Sequence, residues 1–214
     1  MLSIRRHAKR YGLTLAMMAT GVLGSSAVLG NDVETPSLRE RIATYTPEYR
    51  GFLSGTYWES VAKTVDLNPV FLFAVALAES GFETPAHRGF VAPMPWVVRS
   101  VEGPQFFKNK TQAVRYTQGL IEQGVALYNI DVGFMQLNLH WQAAAYQQHG
   151  LEGLFEPAVN LAVGAQLARK CIQSTSDIEL GVGRYNGWKT LVARRYGKKV
   201  LQIFRNLSAW DKTA

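Results

Sequence analysis

The run from Val70 to Ala78 is apolar at every position, and it constrains the fold more than any other feature of the chain. Asn68-Pro69 precedes it, which is a helix cap followed by a proline at the first helical position. The run is therefore predicted to be a helix, and a helix that is apolar on all faces is tolerated only where it is buried. We expect it to lie at the centre of the folded core.

Length and composition set the scale of that core. The chain has 214 residues, of which 47% are hydrophobic and 18% are charged. This length suits one sizeable domain, and the composition excludes a disordered or collagen-like chain. The single cysteine, Cys171, excludes an internal disulfide framework and a cysteine-rich metal site. Cys171 itself is predicted to be a small buried hydrophobe.

The positive charge is concentrated at the N-terminus. The formal net charge is +7, but Arg5, Arg6, Lys9 and Arg10 lie within residues 1–30, which contain no acid, so the remaining chain carries only +3. A balance this mild gives no reason to expect a nucleic-acid partner.

The N-terminus itself has the pattern of an export signal. The basic segment is followed by an apolar stretch, Leu13 to Leu29, and by small residues at Ser25-Ser26-Ala27. We therefore predict a signal peptide over residues 1–30, cleaved near 27–30, and a periplasmic or secreted protein. The alternative is an uncleaved anchor, in which case only this segment would contact a membrane.

The rest of the chain is predicted to be a mostly helical single domain with one small β-hairpin. Ser37 and Glu40 form a capping-box pattern. The hairpin is expected over Trp96–Val101 and Gln105–Lys108, although Pro104 is unfavourable in the second strand. The other predicted helices are one through Tyr57 to Val65, Thr111 to Leu127, Trp141 to Gln148, one that begins at Pro157, Gly181 to Tyr185, and Leu191 to Phe204.

Glu79 is the candidate catalytic residue, because it ends the wholly apolar helix. Burial and the negative end of the helix dipole both disfavour the carboxylate anion, so both raise its pKa. A carboxylic acid that stays protonated near neutral pH can act as a general acid. The alternative is a glutamate that reaches solvent or pairs with a base.

Two glycine-containing segments suggest a ligand site beside Glu79. Residues 131–136 combine a flexible glycine with an apolar pair and an amide, which suits contact with a sugar ring and its N-acetyl group. Residues 181–187 place a phenol and an amide between glycines, where the backbone can approach a ligand. Taken alone, the first segment is better explained as a helix start with ordinary core residues, and the second is equally well explained as a turn between helices.

Four spaced motifs together resemble the soluble-type lytic transglycosylases, a branch of the goose-type lysozyme superfamily that cleaves peptidoglycan. The resemblance covers roughly residues 53–196. It is carried by Glu79-Ser80, by Gly133-Phe134-Met135-Gln136 with Asn138 next, by the helix from Asn160 to Ala165, and by Arg184-Tyr185-Asn186. Phe134 stands where the family usually has leucine. The resemblance implies a mainly α, lysozyme-like fold.

The resemblance also implies roles for individual residues. Glu79 would be the catalytic acid and base, with Ser80 and Tyr185 as nearby hydrogen-bonding partners. Met135 and Gln136 would contact the glycan. The list of implied substrate-binding residues is completed by Asn138 and Asn186.

The resemblance also indicates a domain organisation. A leader and helix over 31–52 precede a lysozyme-like domain over 53–205, and a tail occupies 206–214. An insert at about 89–127 resembles one in transglycosylases attached to conjugation and secretion systems. Its aromatic residues Trp96, Phe106 and Phe107 would either pack the hairpin onto the helical body or contact sugars or a partner.

The acids near the motifs bear on the mechanism. Ordinary glycosidases use two carboxylates that flank the scissile bond. Asp131 and Glu83 are the only acids close to the motifs, and Asp131 is interpreted as a cap or turn residue. One carboxylate suffices if the N-acetyl oxygen of the substrate attacks the anomeric carbon and the C6 hydroxyl completes an anhydro ring. No cofactor is expected, and the spacing of the histidines predicts no metal site.

The leading hypothesis is thus an exported lytic transglycosylase that opens peptidoglycan locally. Its expected partners are glycan strands and proteins of a conjugation or secretion apparatus. The alternative is a hydrolytic or non-catalytic peptidoglycan-binding assembly protein.

Overall fold

The computed structural model describes residues 36–83 and 91–211. The predicted signal peptide and the first residues of the predicted insert lie outside the described residues. The helices are α1 (Leu38–Ile42), α2 (Tyr57–Thr64), α3 (Pro69–Ser80), α4 (Lys110–Glu122), α5 (Ala143–Leu154), α6 (Pro157–Gln173), α7 (Ile178–Gly183) and α8 (Thr190–Asp211). The strands are β1 (Gly81–Glu83), β2 (Val91–Pro93), β3 (Val97–Ser100), β4 (Gly103–Phe106), β5 (Asp131–Val132) and β6 (Leu137–Asn138). The predicted mainly α fold with a small β portion is confirmed.

Helix α3 is the central helix that its sequence predicts. The Asn68 side chain accepts a hydrogen bond from the Val70 amide at 2.9 Å, and Pro69 occupies the first turn. Most of its side chains are completely or almost completely buried. The helix packs between α2 and α8, and this position places its last turn, with Glu79, against α8.

The capping box at α1 is also confirmed. The Ser37 hydroxyl accepts from the Glu40 amide at 3.2 Å, and the Glu40 carboxylate accepts from the Ser37 amide at 2.6 Å. Ile42, at the end of α1, is fully buried in the hydrophobic core. The first helix therefore packs into the same core as α3.

The four-stranded sheet has the order β4-β3-β5-β6, and every neighbouring pair is antiparallel. Strands β3 and β4 form the predicted hairpin. Pro104 lies in β4, an edge strand, where its missing amide hydrogen breaks no ladder bond. The short pair β5 and β6 was not predicted, because two-residue strands show too little alternation to be recognised.

A second, two-stranded sheet brings the insert back to the end of α3. Strand β1 follows α3 directly and pairs with β2, with Gly81 opposite Pro93. The Met94 amide then donates to the Ser80 carbonyl at 3.3 Å. The described part of the insert therefore lies against the helix end that carries Glu79.

Four helices differ from their predicted bounds. Helix α7, predicted over Gly181 to Tyr185, is formed by Ile178–Gly183. Helix α4 stops at Glu122, before the predicted Leu127, because Gly124 adopts φ +80° and turns the chain. Helix α5 begins at Ala143 instead of Trp141, and it extends past the predicted Gln148 to Leu154 only across a break at Gly150, whose φ is +63°. Helix α8 continues past the predicted Phe204 to Asp211, whose carboxylate accepts from the Phe52 amide at 2.8 Å.

Within the described ranges no single helix is long and apolar enough to cross a membrane. The adjacent helices α2 and α3 pass the same length-and-composition test only as a pair, and they meet at a bend of 109°.

Two of the three aromatic residues of the insert pack against the core, and the third is partly exposed. Phe107 and Trp96 pack against the core, and the Phe107 ring lies 5.0 Å from that of Tyr116. Phe106 contacts the Phe82 ring at 4.5 Å but remains 36% exposed. Core packing therefore accounts for two of the three.

We predict that Phe107→Ala lowers the free energy of unfolding by about 3 kcal/mol, because it removes a ring that is packed on the core. Phe106→Ala serves as the matched control and should cost about 1 kcal/mol or less, because its ring is partly exposed. Urea unfolding of the two variants checks the order. Equal losses would contradict this division of the insert.

Candidate active site

Glu79 lies in the last turn of α3, and its partner comes from α8. The Tyr196 hydroxyl donates to Glu79 Oε1 at 2.5 Å. Lys199, one turn further along α8, donates its amine to the Ala78 carbonyl at 2.9 Å. Helix α8 therefore holds both the carboxylate and the end of the helix that carries it.

The pKa of Glu79 is raised above its ordinary value. The main cause is burial, which disfavours the anion. The hydrogen bond from Tyr196 and the charges of Arg99 and Lys199 lower the pKa and partly offset this effect, whereas the charge of Asp131 raises it. The predicted direction is confirmed, and the site favours a protonated carboxylic acid.

Tyr196 was not among the predicted site residues. A signal for it exists, because Tyr196 shares a face of α8 with the buried residues Ala193 and Val200. A tyrosine on a buried helix face needs a partner for its hydroxyl. The sequence alone could not show which polar group supplies that partner.

Tyr185 lies beside Tyr196 but bonds elsewhere. Its hydroxyl donates to the Met135 carbonyl at 2.8 Å, and its ring is nearly parallel to that of Tyr196, with centroids 6.4 Å apart. The expected hydrogen bond from Tyr185 to Glu79 is therefore replaced by one from Tyr196. Tyr185 instead connects the Glu79–Tyr196 pair to the turn at Met135.

Ser80 also differs from its implied role. Its side chain is buried, and its hydroxyl donates to the Ala76 carbonyl at 3.0 Å within α3. This bond is the usual contact of a helical serine with the preceding turn. Ser80 therefore stabilises the helix end and is not a hydrogen-bonding partner of Glu79.

The turn between β5 and β6 contains Gln136 in an unusual backbone conformation. Gln136 has φ +48°, in the left-handed region that non-glycine residues rarely adopt. Its side-chain Nε2 donates to the Gly133 carbonyl at 2.9 Å. Its Oε1 is buried and has no hydrogen-bond partner among the described residues. A buried acceptor without a hydrogen-bond partner is uncommon in folded proteins.

Asn160 on α6 holds this turn in place. Its Oδ1 accepts from the Met135 amide at 2.9 Å, and its Nδ2 donates to the Val132 and Leu154 carbonyls at 3.1 and 2.8 Å. Gly133 has φ +73°, and a Cβ there would lie 2.1 Å from Asn160 Nδ2. Asn160 therefore leaves no room for a side chain at position 133.

Met135 and Phe134 belong to the core. Met135 is completely buried, which differs from the expectation that its side chain contacts a glycan. Phe134 stacks on Trp58 with ring centroids 5.2 Å apart. The aromatic at this position is explained by that contact, and Met135 contributes its backbone groups to the site.

Asn138 and Asp131 are joined across the β5–β6 pair. Asn138 Nδ2 donates to Asp131 Oδ1 at 2.8 Å, and Arg99 lies opposite Asp131 in the register of β3 and β5. Burial raises the pKa of Asp131, while the Asn138 bond and the Arg99 charge lower it. Asp131 is a strand residue and not the cap or turn residue that was predicted.

Asn186 and Cys171, two further residues considered in the sequence analysis, differ in burial. Asn186 follows Tyr185 and is exposed. Cys171 is buried, as predicted, and burial raises its pKa to about 11, which disfavours a reactive thiolate. Among residues 36–83 and 91–211, no group of three or more His, Cys, Asp and Glu side chains could hold a metal ion.

The structure thus brings together Glu79, Tyr196, Tyr185 and the turn that contains Gln136 through successive contacts. No protein-family model matches the chain, and comparisons with curated proteins and with solved structures find no match.

The Tyr196 bond leads to a prediction about pH dependence. Tyr196→Phe removes a hydrogen bond that lowers the pKa of Glu79, so this pKa should rise. If protonated Glu79 is the active form, the alkaline limb of the activity profile should move to higher pH. Tyr185→Phe is the matched control and should leave the limb in place, because Tyr185 bonds to Met135. A limb that stays in place in Tyr196→Phe, or moves to lower pH, would contradict the prediction.

Proposed function

We propose that this protein is a peptidoglycan lytic transglycosylase that cleaves the β-1,4 bond between N-acetylmuramic acid and N-acetylglucosamine. The observation that carries the proposal is the raised pKa of Glu79 at the end of a buried helix, with Tyr196 bound to its Oε1. A carboxyl group in this state can give up a proton to a leaving oxygen.

In the first step Glu79 donates its proton to the glycosidic oxygen, and the bond from that oxygen to C1 breaks. The carbonyl oxygen of the substrate's own N-acetyl group bonds to C1 from the opposite face. The result is a bicyclic oxazolinium ion, a free hydroxyl on the departing sugar, and a Glu79 carboxylate. Tyr196 donates to this carboxylate and so stabilises it.

In the second step the C6 hydroxyl of the same sugar attacks C1. The bond from C1 to the N-acetyl oxygen breaks, and Glu79 takes up the hydroxyl proton. The product is a 1,6-anhydro ring, no water is consumed, and Glu79 returns to its protonated state. One carboxyl group therefore serves both steps.

The buried oxygen of Gln136 fits the substrate that this route requires. Gln136 Oε1 has no hydrogen-bond partner among the described residues, so it can accept from the N–H of an acetamido group. Its companion Nε2 is already held by the Gly133 carbonyl at 2.9 Å, which fixes the orientation of the amide. The same contact would orient the acetamido oxygen that attacks C1.

Asp131 supports a second candidate, a hydrolytic glycosidase. Its charge acts on Glu79 and raises the pKa of Glu79, so the two carboxyl groups belong to one electrostatic environment. A hydrolase needs a second carboxylate as nucleophile or base. Against this role, burial raises the pKa of Asp131 as well, and Asn138 already occupies one of its oxygens.

The proposed function includes a cellular location, and the N-terminal sequence is the evidence for it. The signal-like N-terminus would deliver the enzyme to the periplasm or beyond the cell, where peptidoglycan is found. The resemblance of the insert to those of conjugation- and secretion-associated enzymes suggests local wall opening for such an apparatus. A protein that binds glycan strands without cleaving them remains the non-catalytic alternative.

Digestion of purified peptidoglycan sacculi tests the proposed function. Mass spectrometry of the released muropeptides should find reducing ends lighter by about 18 mass units than hydrolysed ends, since one water is not taken up. If all reducing ends have the hydrated mass, the enzyme is a hydrolase and not a transglycosylase. Binding without release would favour the non-catalytic alternative.

A further inference from the structure

Three aromatic side chains next to the candidate site form an exposed cluster, here called the aromatic patch: Tyr128, His140 and Trp141. Tyr128 is 59% and Trp141 74% exposed, and His140 lies between them. The His140 ring is edge-on to both neighbours, with centroids 6.4 Å from Tyr128 and 4.6 Å from Trp141. Exposed large aromatics that are grouped in this way mark a binding surface more often than isolated ones do.

The patch is built by the side chain of Asn138. Its Oδ1 accepts from the amides of His140 and Trp141 at 3.1 and 3.2 Å, and its Nδ2 donates to the Tyr128 carbonyl at 3.0 Å. One amide therefore fixes the backbone beneath all three rings. A surface that is fixed before binding loses less conformational entropy when a ligand arrives.

The same asparagine connects the patch to the candidate site. Asn138 Nδ2 also donates to Asp131 Oδ1, and the charge of Asp131 acts on Glu79. Along the chain, Asn138 follows Gln136 by two residues and ends the strand that leaves the Gln136 turn. The patch is thus continuous with the candidate site through β5 and β6.

We propose that the aromatic patch binds sugar units of the glycan strand outside the scissile bond. This proposal deepens the proposed function and rests on it for the identity of the ligand. The apolar faces of pyranose rings pack on aromatic rings, and each member of the patch also carries a polar atom for a sugar hydroxyl. An aliphatic partner surface would leave those polar atoms unpaired.

The test measures binding to insoluble sacculi in the Glu79→Gln background, so that the ligand is not cleaved. Trp141→Ala should weaken binding about tenfold, the effect of one lost aromatic contact. Trp141→Tyr should retain most of it. Trp188→Ala is the matched control, because Trp188 is 68% exposed and its ring contacts Arg184 rather than a ring of the patch. Melting temperatures of all variants establish that they are folded.

Several results would overturn this inference. They are unchanged binding in Trp141→Ala, equal losses in the Trp141 and Trp188 variants, or no binding by the parent protein. A dimer in solution that dissociates in Trp141→Ala would assign the patch to contact between copies instead. If Trp141→Ala loses binding while the enzyme with Glu79 intact releases no anhydro product, the assignment of the patch to glycan binding is retained and the proposed function is wrong.

Discussion

Glu79→Gln is expected to lose lytic activity on sacculi by a factor of at least about 10²–10⁴, the usual contribution of general acid–base catalysis. The amide retains the shape of the side chain and still accepts the hydrogen bond from Tyr196, but it has no proton to transfer. Release of soluble muropeptides by the two proteins, measured under the same conditions, gives the ratio. Retention of most of the activity would remove Glu79 from the catalytic role.

We also expect Glu79→Gln to change how the stability of the protein depends on pH. Because the folded-state pKa of Glu79 is raised, its contribution to stability is present at low pH and is lost as the pH rises through that pKa. The neutral amide does not incur this loss. Glu79→Gln should therefore melt no lower than the wild type at neutral pH, and any advantage should disappear in acid. A lower melting temperature at neutral pH would indicate that Glu79 is structural.

Asn160→Ala is expected to lower the free energy of unfolding by roughly 3 kcal/mol or more. The substitution leaves the Met135 amide and the Val132 and Leu154 carbonyls buried without their partner, at about 1–3 kcal/mol for each group. Urea unfolding measures the loss. Activity should fall as well, at temperatures where the variant is folded, because the turn that presents Gln136 loses its support.

Asn206→Ala is the matched control for this substitution. Asn206 accepts a hydrogen bond from Gln202 on the exposed side of α8, at 2.9 Å. Its loss should change the free energy of unfolding by about 0.5 kcal/mol or less, as is usual for surface substitutions. Similar effects of the two variants would contradict the role assigned to Asn160.

The features that the sequence predicts well are those that depend on local chemistry. The capping box at Ser37 and the Asn68-Pro69 helix start are complete within a few residues, so their signals need no tertiary information. Glu79 was identified because a carboxylate at the end of an apolar helix is unusual in any fold. These predictions are confirmed in bounds or in the direction of the pKa.

The features that escaped prediction depend on contacts between distant segments. Tyr196 lies 117 residues from Glu79, and nothing local distinguishes it from other tyrosines on a buried helix face. The roles implied for Ser80 and Tyr185 assumed that proximity to Glu79 means a hydrogen bond to it, whereas both hydroxyls bond to backbone carbonyls. The last turn of α8 is likewise held by the long-range bond between Asp211 and Phe52.

In the proposed mechanism the substrate's own C6 hydroxyl, and not water, attacks the anomeric carbon after Glu79 has protonated the leaving oxygen. Digestion of sacculi in heavy-oxygen water tests it most directly, because only hydrolysis transfers the label to C1. We expect 1,6-anhydro ends that carry no label and that are lost in Glu79→Gln. Labelled reducing ends that depend on both Glu79 and Asp131 would contradict it and identify a two-carboxylate hydrolase.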